Sequence, residues 1–404
     1  MSFLDRLLGR PTLEILIQDA TRWLQDHGSS DVEASAERME IRHRRGGGMN
    51  TLSLGNLWRE YQNAPRNERR ATLLKYLESV TLDDGAVPAD YATARPRLMP
   101  VLRSVGGMGL ARQAGTGVNA PAGGFAAQRP LVADIVTALV VDLPSSMVYV
   151  NEATLADWGV TWDQALGDAL DNLRGLPEHG GWREIAPGVW SGEWGDSYES
   201  SRLLLPDLIH RLGVGDPVAM VPFRNALLVT SAANPDDIHR LVQVAHDAMD
   251  TQGRWVSFQL LCLQGKAWTP FTASGAAAAV QASALMRSEA DDYEGQRKLL
   301  EGQLQAQDID LFVASYTLFQ KDGEALTSYC VWSDDVDTLL PQTASVVLLH
   351  KDGDDTWHVR LPWYVVRERF GHLMEATDHL PVRFRVRQFP DRGELHELAQ
   401  TAAL

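Results

Sequence analysis

Apolar residues recur every three or four positions in several stretches of the chain, which is the pattern of helices that bury one face. The clearest stretch runs from Trp162 to Leu173 and ends at Gly175. Thr161 and Gln164 stand in the spacing of a capping box at its start. The same periodicity predicts helices at residues 13–24 and 235–249, and a helix after Pro65 with an apolar stripe at 73–80. An Ala-rich and then highly charged stretch predicts a long helix at 276–305, and a further helix is expected at 363–374.

Runs of β-branched and aromatic residues on either side of turn residues predict antiparallel hairpins. Their turns lie at residues 144–146, 222–225, 321–323 and 352–355. The last of these is acidic, but Trp357 occupies the position where a calcium loop needs glycine, so the segment predicts a hairpin. The predicted strands are 39–43, 51–54, 135–143, 147–151, 218–221, 226–230, 255–263, 311–318, 326–332, 345–349, 357–361 and 382–388.

These elements predict a multi-domain α+β protein built from units of helices and antiparallel sheet. The predicted parts are an α+β unit at 1–103, a Gly-rich linker at 104–128, a central α+β unit at 129–275, a helical spacer at 276–306 and a β-rich α+β domain at 307–404. The segment 104–128 is almost free of charge and has no periodicity, which predicts a loop. Such a loop is either a flexible linker or a mobile flap over a site.

The net charge and the N-terminal sequence indicate which partners and which location to expect. The chain has 37 Lys and Arg against 53 Asp and Glu, a net charge of −16, which repels phosphate backbones and anionic lipid. We therefore expect no nucleic acid and no membrane as partner. The N-terminus has no signal-peptide core, and no segment reaches the roughly 20 apolar residues of a membrane span, so we expect a cytoplasmic protein. Cys262 and Cys330 fall in different predicted units, which predicts two reduced thiols.

The sequence contains only incomplete versions of the common metal-binding and cofactor-binding motifs. His396-Glu397 begins like a zinc-protease helix, but Gln400 stands at the second histidine position. His239 and His246 lie two helical turns apart, about 10.5 Å, which is too far for one ion. The glycines of 106–109 lack the spacing of a dinucleotide fingerprint and of a phosphate loop. The sequence thus predicts neither a metal nor a cofactor.

Three motifs in order carry a family resemblance: residues 97–104 (RLMPVLRS), 172–177 (NLRGLP) and 196–202 (DSYESSR). With them the chain resembles the YtpQ-like family of uncharacterised bacterial proteins over roughly residues 10–270. The family has no established activity, so the resemblance implies membership without a mechanism. The layout of a helix followed by strands also resembles the α+β fold of type III secretion chaperones, which are binding proteins.

The polar residues of these motifs are the candidate site. Asp196 and Glu199 stand in capping spacing and predict a helix from Asp196 to Leu212, kinked at Pro206. Arg103 and Arg202 either bind a carboxylate or phosphate together, or pair as internal struts with Asp134, Asp142 or Asp196. Asn172 and Arg174 either finish their helix or reach neighbouring elements. The candidate ligand-binding or partner-binding residues are Arg103, Asn172, Arg174, Asp196, Tyr198, Ser201 and Arg202.

The leading hypothesis is a non-enzymatic cytoplasmic protein that binds another protein in an interaction or chaperone-like role. The absence of a nucleophile, metal or cofactor motif and the acidic charge favour it. The alternative is an unfamiliar hydrolase or transferase that uses Asp196, Ser201 and Arg202, or a small-ligand sensor in the same region. The sensor would use the tryptophans between Trp158 and Trp194, which either line a groove or fill a core. The oligomeric state and the specific partner stay open.

Overall fold

The structure is a computed structural model of the chain, and it describes residues 11–36, 40–45, 48–81, 87–114, 124–143, 147–176, 180–252, 255–322, 324–352 and 355–402. Within these residues the chain forms a multi-domain α+β fold with twelve α-helices and five sheets. No described helix is both long enough and apolar enough to cross a membrane.

The N-terminal elements form a three-stranded antiparallel sheet covered by helices. They are α1 (Leu13–Asp26), β1 (Ser30–Ser35), β2 (Glu40–Arg45), β3 (Gly48–Ser53), α2 (Gly55–Asn63) and α3 (Arg69–Thr81), with strand order β1-β2-β3. Thr12 caps α1, because its hydroxyl accepts a hydrogen bond from the Ile15 amide at 3.3 Å. The apolar face of α1 packs Leu16 into one cluster with Ile41 and Leu52 of the sheet.

A second sheet begins the central part of the chain. Its strands are β4 (Leu98–Ser104), β5 (Gln128–Val132), β6 (Ile135–Asp142) and β7 (Met147–Tyr149), and β6 pairs antiparallel with the other three. The helices are α4 (Tyr91–Ala94), α5 (Val105–Gln113), α6 (Glu152–Asp157) and α7 (Trp162–Arg174). β4 pairs with β6 along its whole length, so residues 98–103 at the end of the predicted N-terminal unit, and Ser104 at the start of the predicted linker, form a strand of this sheet.

The third sheet is six-stranded and antiparallel. Its strands are β8 (Gly181–Ala186), β9 (Val189–Glu193), β10 (Pro217–Met220), β11 (Leu228–Ser231), β12 (Leu260–Gln264) and β13 (Ala267–Phe271), in the order β13-β12-β10-β11-β9-β8. Helices α8 (Pro206–Arg211) and α9 (Pro235–Asp247) accompany it. Val218 packs into the cluster of α9, whereas its neighbour Ala219 packs into a different cluster, as the alternation along a strand requires.

The C-terminal part contains two four-stranded sheets, ordered β14-β17-β21-β20 and β15-β16-β18-β19. The β14–β17 and β16–β18 pairs are parallel and the other strand pairs are antiparallel. The elements are β14 (Phe312–Val313), β15 (Thr317–Phe319), β16 (Thr327–Ser333), β17 (Thr338–Pro341), β18 (Ser345–Asp352), β19 (Asp355–Pro362), α11 (Trp363–Phe370), β20 (Met374–Ala376), β21 (Arg383–Val386) and α12 (Arg392–Ala402).

The predicted spacer is helix α10 (Gly275–Ala306), and it packs against both neighbouring parts of the fold. Its first half buries Ala277 and Ala284 in the cluster formed by α9 and the six-stranded sheet. In its second half, the Tyr293 hydroxyl donates to the Val382 carbonyl at 2.8 Å, and the Gln296 amide donates to the Pro381 carbonyl at 2.7 Å. α10 therefore joins the central and C-terminal parts.

Arg383 completes this junction from β21. Its side chain is fully buried, and its guanidinium donates to the Gln296 side chain and to the carbonyls of Ala314, Leu339 and Tyr293. Burial lowers the pKa of Arg383 to about 10. One side chain thus holds α10 to β17 and to the segment between β14 and β15.

The prediction of a loop at 104–128 is wrong for its first part. Ser104 ends β4 and caps α5, because its hydroxyl accepts a hydrogen bond from the Gly107 amide at 3.0 Å. Glycines allow α5 to pack closely: a Cβ on Gly109 would lie 2.3 Å from the Leu380 Cβ. Packing therefore overrides the low helix propensity of glycine. Residues 115–123 lie outside the described residues, and β5 begins at Gln128.

We expect Gly109→Ala to destabilise the fold by about 1–3 kcal/mol, because the new methyl group overlaps both Leu380 Cβ and the Leu380 carbonyl. Gly302→Ala in α10 is the matched control, since a Cβ there meets no atom within 4 Å. Ala has the higher helix propensity, so the control should stabilise the fold by about 0.5–1 kcal/mol. Urea denaturation measures both, and equal effects would contradict the tight packing of α5.

We expect Arg383→Met to lower the free energy of unfolding by about 3–5 kcal/mol, since the acceptors of a buried charged donor lose their partner. Arg387→Met is the control, because Arg387 and Glu375 form an exposed pair at 2.6 Å. Its expected cost is about 0–1 kcal/mol. Urea titrations that give similar losses for both variants would show that Arg383 does not hold the junction.

Candidate functional site

The motif at residues 196–202 contains an ion pair between its own first and last residues, Asp196 and Arg202. The Arg202 guanidinium donates to both carboxylate oxygens of Asp196, at 2.9 and 2.6 Å, and the Arg202 side chain is only 5% exposed. The Tyr198 amide donates to the same carboxylate at 3.0 Å. Burial alone would raise the pKa of Asp196, but the Arg202 and Tyr198 hydrogen bonds outweigh it and hold that pKa below its usual range. Arg202 is therefore the internal strut that the sequence offered as one alternative.

The predicted helix from Asp196 to Leu212 is wrong. Ser197 adopts a left-handed backbone with φ +67°, which an α-helix does not tolerate. A 3₁₀ turn covers residues 200–204 and α8 starts only at Pro206. The Glu199 carboxylate accepts from the Gly195 amide at 2.8 Å, so Asp196 and Glu199 hold a turn of the chain instead of capping an α-helix.

Arg103 lies on β4 and makes no ion pair with the aspartates that the sequence proposed. It donates to the Tyr149 hydroxyl at 2.6 Å and to the Leu102 carbonyl at 2.7 Å. The Tyr198 hydroxyl is buried near Asp142 without a hydrogen bond of regular geometry among the described residues. Burial, and then the charge of Asp142, raise the pKa of Tyr198. Arg103, Tyr198 and Asp142 are thus polar side chains within the packing between β4, β6 and the 196–202 segment.

The remaining candidates are also explained by packing. The Asn172 amide donates to the carbonyls of Arg95 and Leu98 at 2.7 and 2.9 Å, which ties the end of α7 to the start of β4. Arg174 lies on the surface and pairs with Asp171 at 3.2 Å. Ser201 is 1% exposed. These three side chains lie in different surroundings and do not face solvent together.

The tryptophans between Trp158 and Trp194 belong to separate packing clusters. Trp158 packs on Tyr91 with 5.6 Å between ring centroids. Trp182 and Trp194 form an edge contact at 5.2 Å, and the Arg202 guanidinium carbon lies 4.3 Å from the centre of the Trp194 ring. Trp158 and Trp162 pack in one cluster and Trp182 in another, which favours the alternative that tryptophans of this segment fill cores.

An open cavity of about 260 Å³ lies elsewhere, beside the middle of α10. Its walls come from the turn before Trp255, from α10 and from β15 of the C-terminal part. Two exposed carboxylates, one aromatic ring, one guanidinium and small or apolar side chains line it: Met249, Asp250, Trp255, Arg287, Ala290, Asp291 and Leu318. We call it the α10 cavity.

Hydrogen bonds fix the polar groups of the α10 cavity. The Trp255 indole N–H donates to Asp291 at 3.1 Å, and Arg287 donates to Asp250 at 2.6 Å. Trp255 also packs on Phe223 and Phe258, with ring centroids 5.7 and 5.8 Å apart. The aromatic wall is thus held by the core, while the carboxylates stay accessible to solvent.

Sequence reasoning missed this cavity. Trp255 and Asp291 are 36 residues apart and meet only because α10 packs on the six-stranded sheet. One signal was present: Glu289, Asp291 and Asp292 concentrate negative charge in a helix that otherwise begins with alanines. No group of three or more His, Cys, Asp or Glu among the described residues is arranged to hold a metal ion.

A second cavity of about 280 Å³ lies between the end of α10 and β17. Leu300, Leu304, Leu311 and Leu339 supply its apolar lining. Its cation, Arg385, is already bound by both oxygens of Asp337, at 2.9 and 2.6 Å. The α10 cavity therefore offers the more accessible charge for recognition.

The chain has no match among protein-family models, curated proteins or solved structures. Assignment of a function consequently depends on the chemistry of its own side chains.

We expect Arg202→Met to lower stability by about 3–5 kcal/mol, because it leaves the Asp196 carboxylate without its buried partner. Asp196→Asn should cost a comparable amount, since Arg202 is then left without a charge partner. Arg174→Met, at an exposed pair, should cost about 0–0.5 kcal/mol. Urea denaturation measures all three.

The same pair predicts a pH dependence. The pKa of Asp196 is lowered in the folded protein, so its stabilisation is present above the unfolded pKa and lost as pH falls through the folded pKa. Asp196→Asn should therefore reduce the loss of stability on the acid side. Unchanged acid unfolding in this variant, together with wild-type stability of Arg202→Met, would contradict the strut.

Proposed function

We propose that the protein is a non-enzymatic binding protein whose α10 cavity takes a cationic side chain of another polypeptide. One observation carries the proposal: an open cavity combines the Trp255 ring with the exposed carboxylates of Asp250 and Asp291. Aromatic faces and carboxylates together are the groups that bind ammonium and guanidinium ions. The resemblance to the YtpQ-like family and to secretion chaperones stays a prediction that agrees with a binding role.

The charge balance around the α10 cavity favours a cationic partner. Asp250 and Asp291 line the cavity, and its single cation, Arg287, is already bound to Asp250. Glu289 and Asp292 add two further acidic groups on the same stretch of α10. The whole chain carries a net charge of −16, which attracts a basic polypeptide over a longer range.

The size of the α10 cavity favours a side chain over a larger molecule. Pockets for drug-sized ligands measure roughly 300–1,000 Å³, and this cavity is smaller, at about 260 Å³. Met249 and Leu318 would contact the methylene groups of a lysine or arginine, while Asp291 would contact the charged end. The occupant proposed is therefore one residue of a longer basic chain.

The enzymatic alternative has less support from the geometry. Both carboxylate oxygens of Asp196 accept hydrogen bonds from Arg202, and Ser201 is buried. A nucleophile or general base needs access to substrate. The side chains named for that alternative are instead occupied by internal contacts.

We expect a fluorescein-labelled peptide of alternating lysine and glycine, with acetylated and amidated ends, to bind the full chain. The matching glutamate peptide should not bind. Asp291→Asn should weaken binding about 5–10-fold, since it removes one carboxylate but keeps an acceptor for the Trp255 indole. Added salt should also weaken binding, because exposed charges are screened. Fluorescence anisotropy measures each dissociation constant.

Asp157→Asn is the matched control, because Asp157 is an exposed residue of α6 and the substitution changes the net charge equally. It should bind the lysine peptide like the wild type. Equal weakening by both substitutions would mean that only the overall charge attracts the peptide. Absence of lysine-peptide binding at low salt would overturn the proposed function.

A further inference from the structure

Three further carboxyl groups interact electrostatically beside the α10 cavity, where α10 packs against Gly106 at the start of α5. Asp134 comes from the turn between β5 and β6, whereas Glu289 and Asp292 come from α10. We call these three residues the carboxyl cluster. Asp291, which lines the α10 cavity, is the chain neighbour of Asp292, so the cavity and the carboxyl cluster share one turn of helix.

The contacts of the carboxyl cluster are with neutral groups. Asp134 accepts a hydrogen bond from the Ser257 hydroxyl, and Glu289 accepts one from the Tyr316 hydroxyl at 2.9 Å. Asp292 lies against Gly106, where a Cβ would come within 2.1 Å of its Oδ2 atom. None of the ion pairs in the described part of the chain includes these three carboxyls.

The charges that face Asp292 are therefore mostly of its own sign. On α10 they are Asp291 and Glu289, and across the interface they include Asp134. From α5 the facing group is the uncharged Gly106, whose helix N-terminus carries a partial positive charge. Burial first, and then these three carboxylates, raise the pKa of Asp292 to about 7.

We propose that cation binding in the α10 cavity expels a proton from the carboxyl cluster, so that binding tightens as the pH rises. This inference rests on the proposed function, because it requires a cation beside Asp291. A cation there offsets the repulsion between Asp291 and Asp292 and stabilises the ionised cluster. Asp292 then releases its proton to the buffer. Because binding releases a proton, a lower proton concentration favours the bound state.

Titration calorimetry of the lysine peptide into the full chain tests the linkage. The peptide has blocked ends and lysines that stay charged, so it releases no proton of its own between pH 6 and 8. The wild type should bind about 3-fold or more tightly at pH 8 than at pH 6. At pH 6.5 the binding heat should differ between phosphate and Tris, because Tris takes up the released proton with a large enthalpy.

Asp292→Asn removes the titrating group and should bind with the same affinity at both pH values and with equal heats in both buffers. Asp157→Asn should keep the wild-type pH dependence and buffer difference. Circular dichroism spectra and melting curves establish that each variant is folded. The comparison of two buffers needs only the wild type, so the linkage is measured even if Asp292→Asn does not fold.

The outcomes separate this inference from the proposed function. Lysine-peptide binding that is independent of pH and buffer in the wild type would overturn the proton linkage and leave the proposed function standing. A folded Asp292→Asn protein that keeps the pH dependence would also overturn the assignment to Asp292. Absence of binding at every pH would overturn the proposed function itself.

Discussion

The buried guanidinium of Arg383 fixes where α10 lies, and the relation between the central and C-terminal parts depends on that position. A charged group excluded from water is tolerated only when hydrogen bonds replace its hydration. Here the acceptors are the Gln296 side chain and backbone carbonyls of α10, β17 and the segment after β14. Because one guanidinium binds acceptors from three separate elements, it fixes the positions of these elements relative to one another.

The α10 cavity is a consequence of that arrangement. Trp255 and Met249 belong to the central part, Arg287 and Asp291 to α10, and Leu318 to β15 of the C-terminal part. The walls therefore come together only when both parts dock on one helix. The Arg383 contacts at Tyr293 and Gln296 lie within two turns of Asp291 on the same helix, so loss of this junction would also disturb the walls of the cavity.

Local patterns were sufficient to predict much of the fold. Helices α7 and α9 and the β10–β11 hairpin have strong periodicity and clear caps or turns, and they form where the sequence indicates. Helix α10 also forms where its Ala-rich and then charged sequence predicts a helix. Helix α5 could not be predicted, because its glycines are favoured only by close packing against Leu380 and Asp292. Asp196 was one of three partners that the sequence offered for Arg202, and the structure selects it. The left-handed Ser197 and the meeting of Trp255 with Asp291 depend on tertiary contacts.

Two neighbouring segments of α10 differ in how their carboxylates are paired. Further along, Arg297 bridges Glu294 and Glu301 at 2.9 and 2.7 Å, and Lys298 also pairs with Glu294. Beside the cavity, the basic residue one turn before Asp291 is Arg287. Arg287 is already bound to Asp250, so it does not pair with Asp291 or Asp292. Neighbouring carboxylates disfavour one another's ionised form. At residues 294–301 of the same helix, basic side chains neutralise the carboxylates. The proposed cation of a partner would pair with this acidic segment as Arg297 pairs with Glu294 and Glu301.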